Sequence, residues 1–349
     1  MMIRITRHEP TAKCTLPLYM GFLMSEPKHA TCSQLGTTLS ITHDSVNRFL
    51  LREDYEPVDL YREGLSVVNP MGGTLSVDDS VLDKPYSQKM DYVGYFWSGK
   101  HHRSVKGINL ITLYYVDPSG CSAPVNYRVY DKAEAKTKND YFVEMLEEVL
   151  AWGLKPAYVT ADSWYSCIAN LKAVKNHGMK LLFAIESNRT VSVEKGTWTQ
   201  VKHLEVPPEG RMVWLKAFGK VKLFRTNLKD QIRHYVTYLP DDHDYDGFGR
   251  NHFQRIHDQH WEIEQYHRTI KQVCNVERFQ VRTNTAIMNH LFASLCCFVQ
   301  LQKMKVADLM NNAYQWKREL YTEIVASFTQ AFASSVAHLN TKSIRNVNA

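Results

Sequence analysis

The sequence predicts an α/β protein: a mixed sheet flanked by helices, carrying a β-rich insertion and preceded by a small N-terminal helical domain. Three observations carry that prediction. Hydrophobic patterning between residues 74 and 185 reads β-β-β-α-β-α-β, a hairpin-led meander followed by βαβ units. Residues 190–240 then break into short alternating runs. Residues 252–273 finally read as one long helix with two chemically distinct stripes.

The first 29 residues contain Pro10, Pro17 and Pro27 and no clear pattern. Residues 30–36 and 40–51 read as two short helices about a break. Thr42 is placed to cap the second, and Val46, Phe49 and Leu50 form its apolar side. The pair fits a helix-turn-helix, with His43, Asp44, Asn47 and Arg48 facing DNA. Residues 53–73 look like a linker. A short strand over 74–79 runs into Asp78 and Asp79, and residues 84–103 form a polar loop rich in aromatic and basic residues. Residues 107–116 are the clearest strand. The turn Asp117-Pro-Ser-Gly120 leads it into a second strand over 123–130.

An amphipathic helix follows over 139–153, with Tyr141, Phe142, Met145, Leu146, Val149 and Leu150 on one side and a Gly stop. The strand over 157–161 ends at Asp162. A helix over 165–177 and a strand over 181–185 complete the series, whose order is that of the ribonuclease H-like fold. The insertion turns at Pro207-Pro208, an acidic loop covers 241–250, and an apolar helix spans 287–301. The expected organisation is a helical DNA-binding region (1–70), a core in two parts (71–189 and 251–305) around the insertion (190–250), and a helical tail (306–349).

On the long helix, Ile256, Ile263, Tyr266, Ile270 and Val273 share a core-facing stripe. His257, His260, Glu264, Arg268 and Lys271 share the neighbouring one, edged by Trp261. A carboxylate among basic residues beside the core suits a metal-binding acid near a polyanion. Taken alone, it suits equally a solvated face of i,i+4 ion pairs.

Net charge is +6, which permits a nucleic-acid partner without requiring one. The seven cysteines show no C-x2-C spacing, so reduced thiols are expected in place of a zinc site or disulfide framework. No apolar run is long enough to span a membrane and no signal peptide is read, so a cytoplasmic protein is expected.

Asp79 ends the first strand, Asp162 ends the fourth, and Glu264 lies on the helix after the insertion. With the first and fourth strands adjacent, the aspartates meet at one edge and a covering helix lowers Glu264 onto them. Clustered carboxylates repel unless cations neutralise them, and hard oxygen ligands suit Mg²⁺ or Mn²⁺. Two such ions can activate an attacking oxygen and stabilise a leaving one in phosphodiester displacement. Neighbouring strand residues face opposite sides, so only one of Asp78 and Asp79 can point at the site.

The chain resembles the DDE transposases of bacterial insertion sequences, in the branch with a β-rich insertion before the glutamate. Three segments carry the resemblance: Ser76-Val-Asp-Asp-Ser80, Val159-Thr-Ala-Asp-Ser-Trp-Tyr165, and Trp261-Glu-Ile-Glu-Gln-Tyr-His267 with Lys271. Ile185-Glu-Ser-Asn-Arg189 and Glu277-Arg-Phe-Gln-Val-Arg-Thr283 resemble further segments of that family. Its acid-then-hydroxyl pattern favours Asp79, which precedes Ser80. Its motif Tyr-x2-Arg-x3-Glu-x6-Lys is matched by Glu264 and Lys271, whereas His257 replaces the tyrosine and His260 the arginine.

The resemblance implies an enzyme that binds the terminal inverted repeats of double-stranded DNA as a homodimer. It would cut with metal-activated water and join the freed 3′-hydroxyl to target DNA, without a nucleotide cofactor. Lys271, His260 and Arg268 are candidate DNA contacts. Lys100, His101, His102, Arg103, Lys106 and Arg189 are candidate phosphate contacts. Trp198 and Trp214 of the insertion could stack on an extruded base, since in related transposases this module helps form a hairpin at the freed end. A ribonuclease H-like endonuclease or resolvase without strand transfer, and a non-catalytic DNA-binding relic, are the alternatives.

Overall fold

The computed structural model describes residues 13–28, 30–99, 101–194, 196–228 and 231–345; Pro10 and Lys100 therefore lie outside the described residues. Four helices precede the first strand: α1 (Leu16–Ser25), α2 (Cys32–Leu39), α3 (His43–Arg52) and α4 (Pro57–Gly64). The Thr31 hydroxyl accepts from the Gln34 amide to start α2, and Ser40 ends it in a left-handed conformation (φ 54°). Thr42 stands at the N-cap of α3 as expected, although its side chain makes no capping hydrogen bond. Helix α1 occupies part of the stretch whose prolines suggested irregular chain. Pro17 sits in its first turn, where the missing N–H costs nothing.

The sheet grows outward from β1 (Thr74–Asp83). The strand β2 (Gly94–Ser98) forms where a polar loop was expected, because β3 (Arg103–Val116) is longer than its apolar run and pairs with β2 through its first residues. The rest of that β3 edge pairs with β4 (Ser122–Val129). Helix α5 (Lys138–Ala151) opens with a Thr137/Asp140 capping box and is followed by Gly153 at φ 104°. Then come β5 (Tyr158–Ala161), α6 (Ile168–Asn176) and β6 (Lys180–Ile185). β1 pairs antiparallel with β3 and parallel with β5, and β5 pairs parallel with β6. This gives the order β4-β3-β1-β5-β6 expected of a ribonuclease H-like sheet.

The β-rich segment supplies β7 (Thr190–Ser192), β8 (Trp198–Gln200), β9 (Arg211–Leu215), β10 (Gly219–Leu228) and β11 (Gln231–Tyr238). These strands do not stand apart. β11 pairs antiparallel with β6, from Tyr238↔Leu181 to His234↔Ile185, so eleven strands among the described residues form one sheet. Extending the sheet covers the edge that β6 would otherwise present.

After the short α7 (Asp244–Gly247), the long helices α8 (Arg250–Gln272), α9 (Asn284–Val306) and α10 (Ala313–Arg345) complete the chain. α5 and α6 cover one sheet face over Val77, Ile111, Val159 and Phe183. α8 and α9 cover the other, over Leu82, Ile108, Leu110 and Tyr114. The N-terminal helices have no core of their own. Tyr19, Phe22, Phe49 and Leu60 join the cluster around α9, and the Asn289 side-chain amide donates to the Leu50 and Glu53 carbonyls at 2.7 and 2.6 Å. Among the described residues no helix is long and apolar enough to cross a membrane.

Candidate active site

Helix α8 buries Phe253, Ile256, Ile263, Tyr266 and Ile270. This stripe lays the neighbouring polar side chains along β1 and β5. The Gln259 side-chain oxygen Oε1 accepts from the Thr74 hydroxyl at 2.6 Å. His260 Nδ1 lies 3.0 Å from the Thr160 hydroxyl, itself 2.7 Å from Ser76. Side chains at 74, 76 and 160 therefore face α8. By strand alternation, so does Asp78. Register sets its neighbour: Val77 pairs with Ala161, the last pair of the two strands, so Asp78 and Asp162 emerge together where their parallel pairing ends.

The expectation that Asp79 faces the site is corrected by this geometry. Its carboxylate points to the opposite sheet face. There it accepts from Lys138 Nζ at 2.8 Å, Asn109 Nδ2 at 2.6 Å and the Tyr165 hydroxyl at 3.1 Å. A strand's two-residue period separates the two aspartates, but only the side on which α8 lies decides which one meets Glu264. A following hydroxyl residue carries no such information.

Asp78, Asp162 and Glu264 line one cleft of about 1000 Å³, together with His260, Trp261 and Arg233. Burial opposes ionisation of Asp78, yet its hydrogen bond and charge contact with His267, followed by His260, hold its pKa below the usual value. Asp162 is pushed up to about 7, first by burial and then by the negative charges of Asp78 and Asp79. Glu264 is also raised, by burial and by Asp78, against the pull of Arg233, His267 and Arg268. His260 is pushed down to about 4, chiefly by burial, so the histidine at the expected arginine position is neutral near pH 7. His257 is lowered by burial and lies 3.1 Å from the Tyr235 hydroxyl.

The remaining expected contacts separate. Arg268 is exposed on α8, one turn beyond Glu264. Lys271 Nζ instead donates to the Val81 carbonyl at 2.7 Å and lies 3.7 Å from Glu277 Oε2. Arg189 donates to the Ser166 carbonyl at 3.0 Å, bracing the turn after Asp162. Arg103 opens β3 and Arg48 sits on α3, both exposed. Trp198 and Trp214 are half exposed, and each pairs with Ser192 across β7, but neither lines the cleft. Trp214 pairs with Lys220, six residues along β10 from the cleft residue Thr226, or roughly 20 Å at strand rise.

Arg233 and Arg250 were not singled out from sequence, yet both line the cleft. Only the pairing of β11 with β6 brings Arg233 there, and a lone arginine in an alternating run gives no local sign of it.

Three oxygen-donor carboxylates around one cleft suit a hard dication, and the repulsion that raises Asp162 is a cost such a cation would relieve. Among the described residues no three His, Cys, Asp or Glu side chains already close around a point that could hold an ion.

Acids where two adjacent parallel strands cease to pair, with a third on the covering helix and a β4-β3-β1-β5-β6 core, define a ribonuclease H-like protein of the transposase type. The family model described as Transposase DDE domain matches residues 70–299, about two thirds of the chain, and the chain belongs to that family. Members of this family act as transposases on DNA and generally use divalent metal ions. No match was found among curated proteins.

Proposed function

We propose that this chain is a cut-and-paste transposase that binds the ends of its element, cleaves DNA by metal-dependent phosphodiester hydrolysis and joins the freed 3′-hydroxyl to target DNA. The observation that carries this reading is the convergence of Asp78, Asp162 and Glu264 on one cleft under α8. In it, Asp78 replaces Asp79 as the first acid, and the three carboxylates hold Mg²⁺ or Mn²⁺. Such ions would supply the positive charge that activates an attacking oxygen and stabilises the leaving one.

The chain's own groups prepare that site. His267 keeps Asp78 ionised and oriented. Neutral His260 buttresses Thr160 against the sheet and offers hydrogen bonding without charge. Arg233 and Arg268, flanking Glu264, bind the phosphates on either side of the cut. Two ends must be handled together, so the acting species is a homodimer on DNA.

The test is single-strand nicking of end DNA followed by strand transfer from pre-cut ends. Asp78→Ala, Asp162→Ala and Glu264→Ala should each abolish both while leaving DNA binding intact. Each should also weaken the stabilisation of the protein by Mn²⁺ in thermal melting. Nicking without joining by the parent would identify a resolvase-like nuclease instead. Normal cutting by any of the three variants would remove that residue from the site.

A further inference from the structure

We propose that the β2–β3 hairpin is a second DNA-contacting surface, in which Tyr95 and Trp97 take an unpaired base between their rings as a strand leaves the cleft. This rests on the transposase reading and extends it to an element that carries none of the acids.

Burial alternates sharply along β2. Phe96 is 7% exposed, whereas Tyr95 and Trp97 are 67% and 63% exposed. Phe96 does the packing, edge-on to Tyr130 with centroids 5.8 Å apart and with Lys132 Nζ 5.2 Å from its ring. The strand is held by that inner face, and the two outer aromatics contribute little to the core.

Register places those aromatics relative to the acids. Tyr95 pairs with Lys106 and Trp97 with Ser104, and directly opposed residues share a face. From Lys106 the same face continues through Ile108, Leu110 and Thr112. It then crosses to Leu82, Ser80 and Asp78, their partners on β1. Both rings therefore project from the sheet face that carries Asp78.

The turn joins this face to the cleft. Gly99, at the hairpin tip, lines the same cleft as Asp78, Asp162 and Glu264. His102 and Arg103 are exposed beside it, so the path out of the cleft is basic as well as aromatic. His101 is held by Asp83 at 3.0 Å and braces the turn against β1.

Spacing selects the occupant. Residues two apart on a strand stand about 6.6–6.8 Å apart, which is twice the ~3.4 Å rise between stacked bases. One flat base fits between the rings. A base still paired in a duplex cannot enter without leaving its stack, so the surface favours unpaired nucleotides.

The experiment uses the full chain and two probes. One is a blunt duplex, and the other is the same duplex with a single-stranded extension carrying 2-aminopurine. The parent should bind the extended probe roughly 5- to 150-fold more tightly, the range that stacking of one base spans, and should quench 2-aminopurine emission. Trp97→Ala and Tyr95→Ala should each lose the preference and the quenching while holding the blunt duplex within about twofold. Trp97→Phe, which keeps a ring, should retain part of both. The inference is overturned if the parent shows neither preference nor quenching. Parental behaviour of Trp97→Ala, or equal weakening on both probes, overturns it as well. Should the parent bind neither DNA, the transposase reading itself is what fails.

Discussion

The imidazole Nδ1 of His267 stands 3.5 Å from Oδ2 of Asp78, where helix α8 meets strand β1. His267 is 7% exposed, and its Nε2 is buried without a hydrogen-bond partner. A histidine buried one turn from Glu264 thus turns Nδ1 to the neighbouring carboxylate, fixing the orientation of Asp78 toward the cleft.

Removing that contact should loosen metal binding before it affects the fold. For His267→Ala, the Mn²⁺ concentration giving half-maximal nicking should rise about 10- to 100-fold, as for other groups that orient metal ligands. Glutamine, which can still donate, should recover part of the loss. A metal titration followed by both nicking and thermal melting checks this. An unchanged midpoint would make His267 a packing residue only.

The two neighbouring aspartates should part company. Asp78→Asn should lose nearly all cleavage with a melting temperature close to the parent. Asp79→Asn should retain cleavage but lose on the order of 1–3 kcal/mol of stability, because Lys138 keeps its charge and loses its carboxylate partner. Denaturant unfolding alongside the nicking assay separates them, and the reverse pattern returns the role to Asp79.

Asp162 should make the metal-free protein sensitive to pH. Its folded pKa of about 7 stands above the ordinary 3.8, so between those values the native state binds more protons than the unfolded chain. Stability should be fully present at the acid end and fall as pH rises through this window, by an amount on the order of a few kcal/mol. His260 works in the opposite sense. Its pKa is held at about 4 against 6.5, so stability is lost as pH falls between them. Comparing Asp162→Asn with the parent at each pH cancels that contribution. In the presence of chelator the variant should melt higher at pH 8 and nearly equally at pH 4. A lower melting temperature at pH 8 would contradict the assignment.

Arg233 should take the DNA-contacting role that sequence spacing suggests for Lys271. Arg233→Ala should weaken DNA binding and make its salt dependence shallower by about one unit of slope. Lys271→Met should leave the slope unchanged and lower stability, since its ammonium holds the Val81 carbonyl. Binding measured across a salt series, with melting curves for both variants, distinguishes them.

Much of the architecture was legible because it is written in local periods. Ile256, Ile263, Tyr266 and Ile270 recur at helical spacing, and their burial turned α8 as that spacing requires. Asp162 and Glu264, which line one cleft, stand out in the sequence where an apolar run ends and where the helix stripes divide. Helix α4, inside the stretch expected to be a linker, helix α1 and strand β2 have no clear local pattern, because prolines and interrupted alternation hide elements that tertiary partners stabilise. For α1 that partner is α9, for α4 it is β4 with α9, and for β2 it is the long edge of β3.

What the sequence determined by itself was the order of the elements, the family they belong to and the candidate acids at strand ends and on one helix. Tertiary structure alone decided that Asp78 and not Asp79 faces Glu264, because parity along a strand separates two faces without saying which one a distant helix will cover. It also joined β11 to β6, which brought Arg233 to the cleft and left Trp198 and Trp214 away from it. Pairing between strands some fifty residues apart, such as Leu181 and Tyr238, depends on shared hydrogen bonds and burial that no local window of sequence contains.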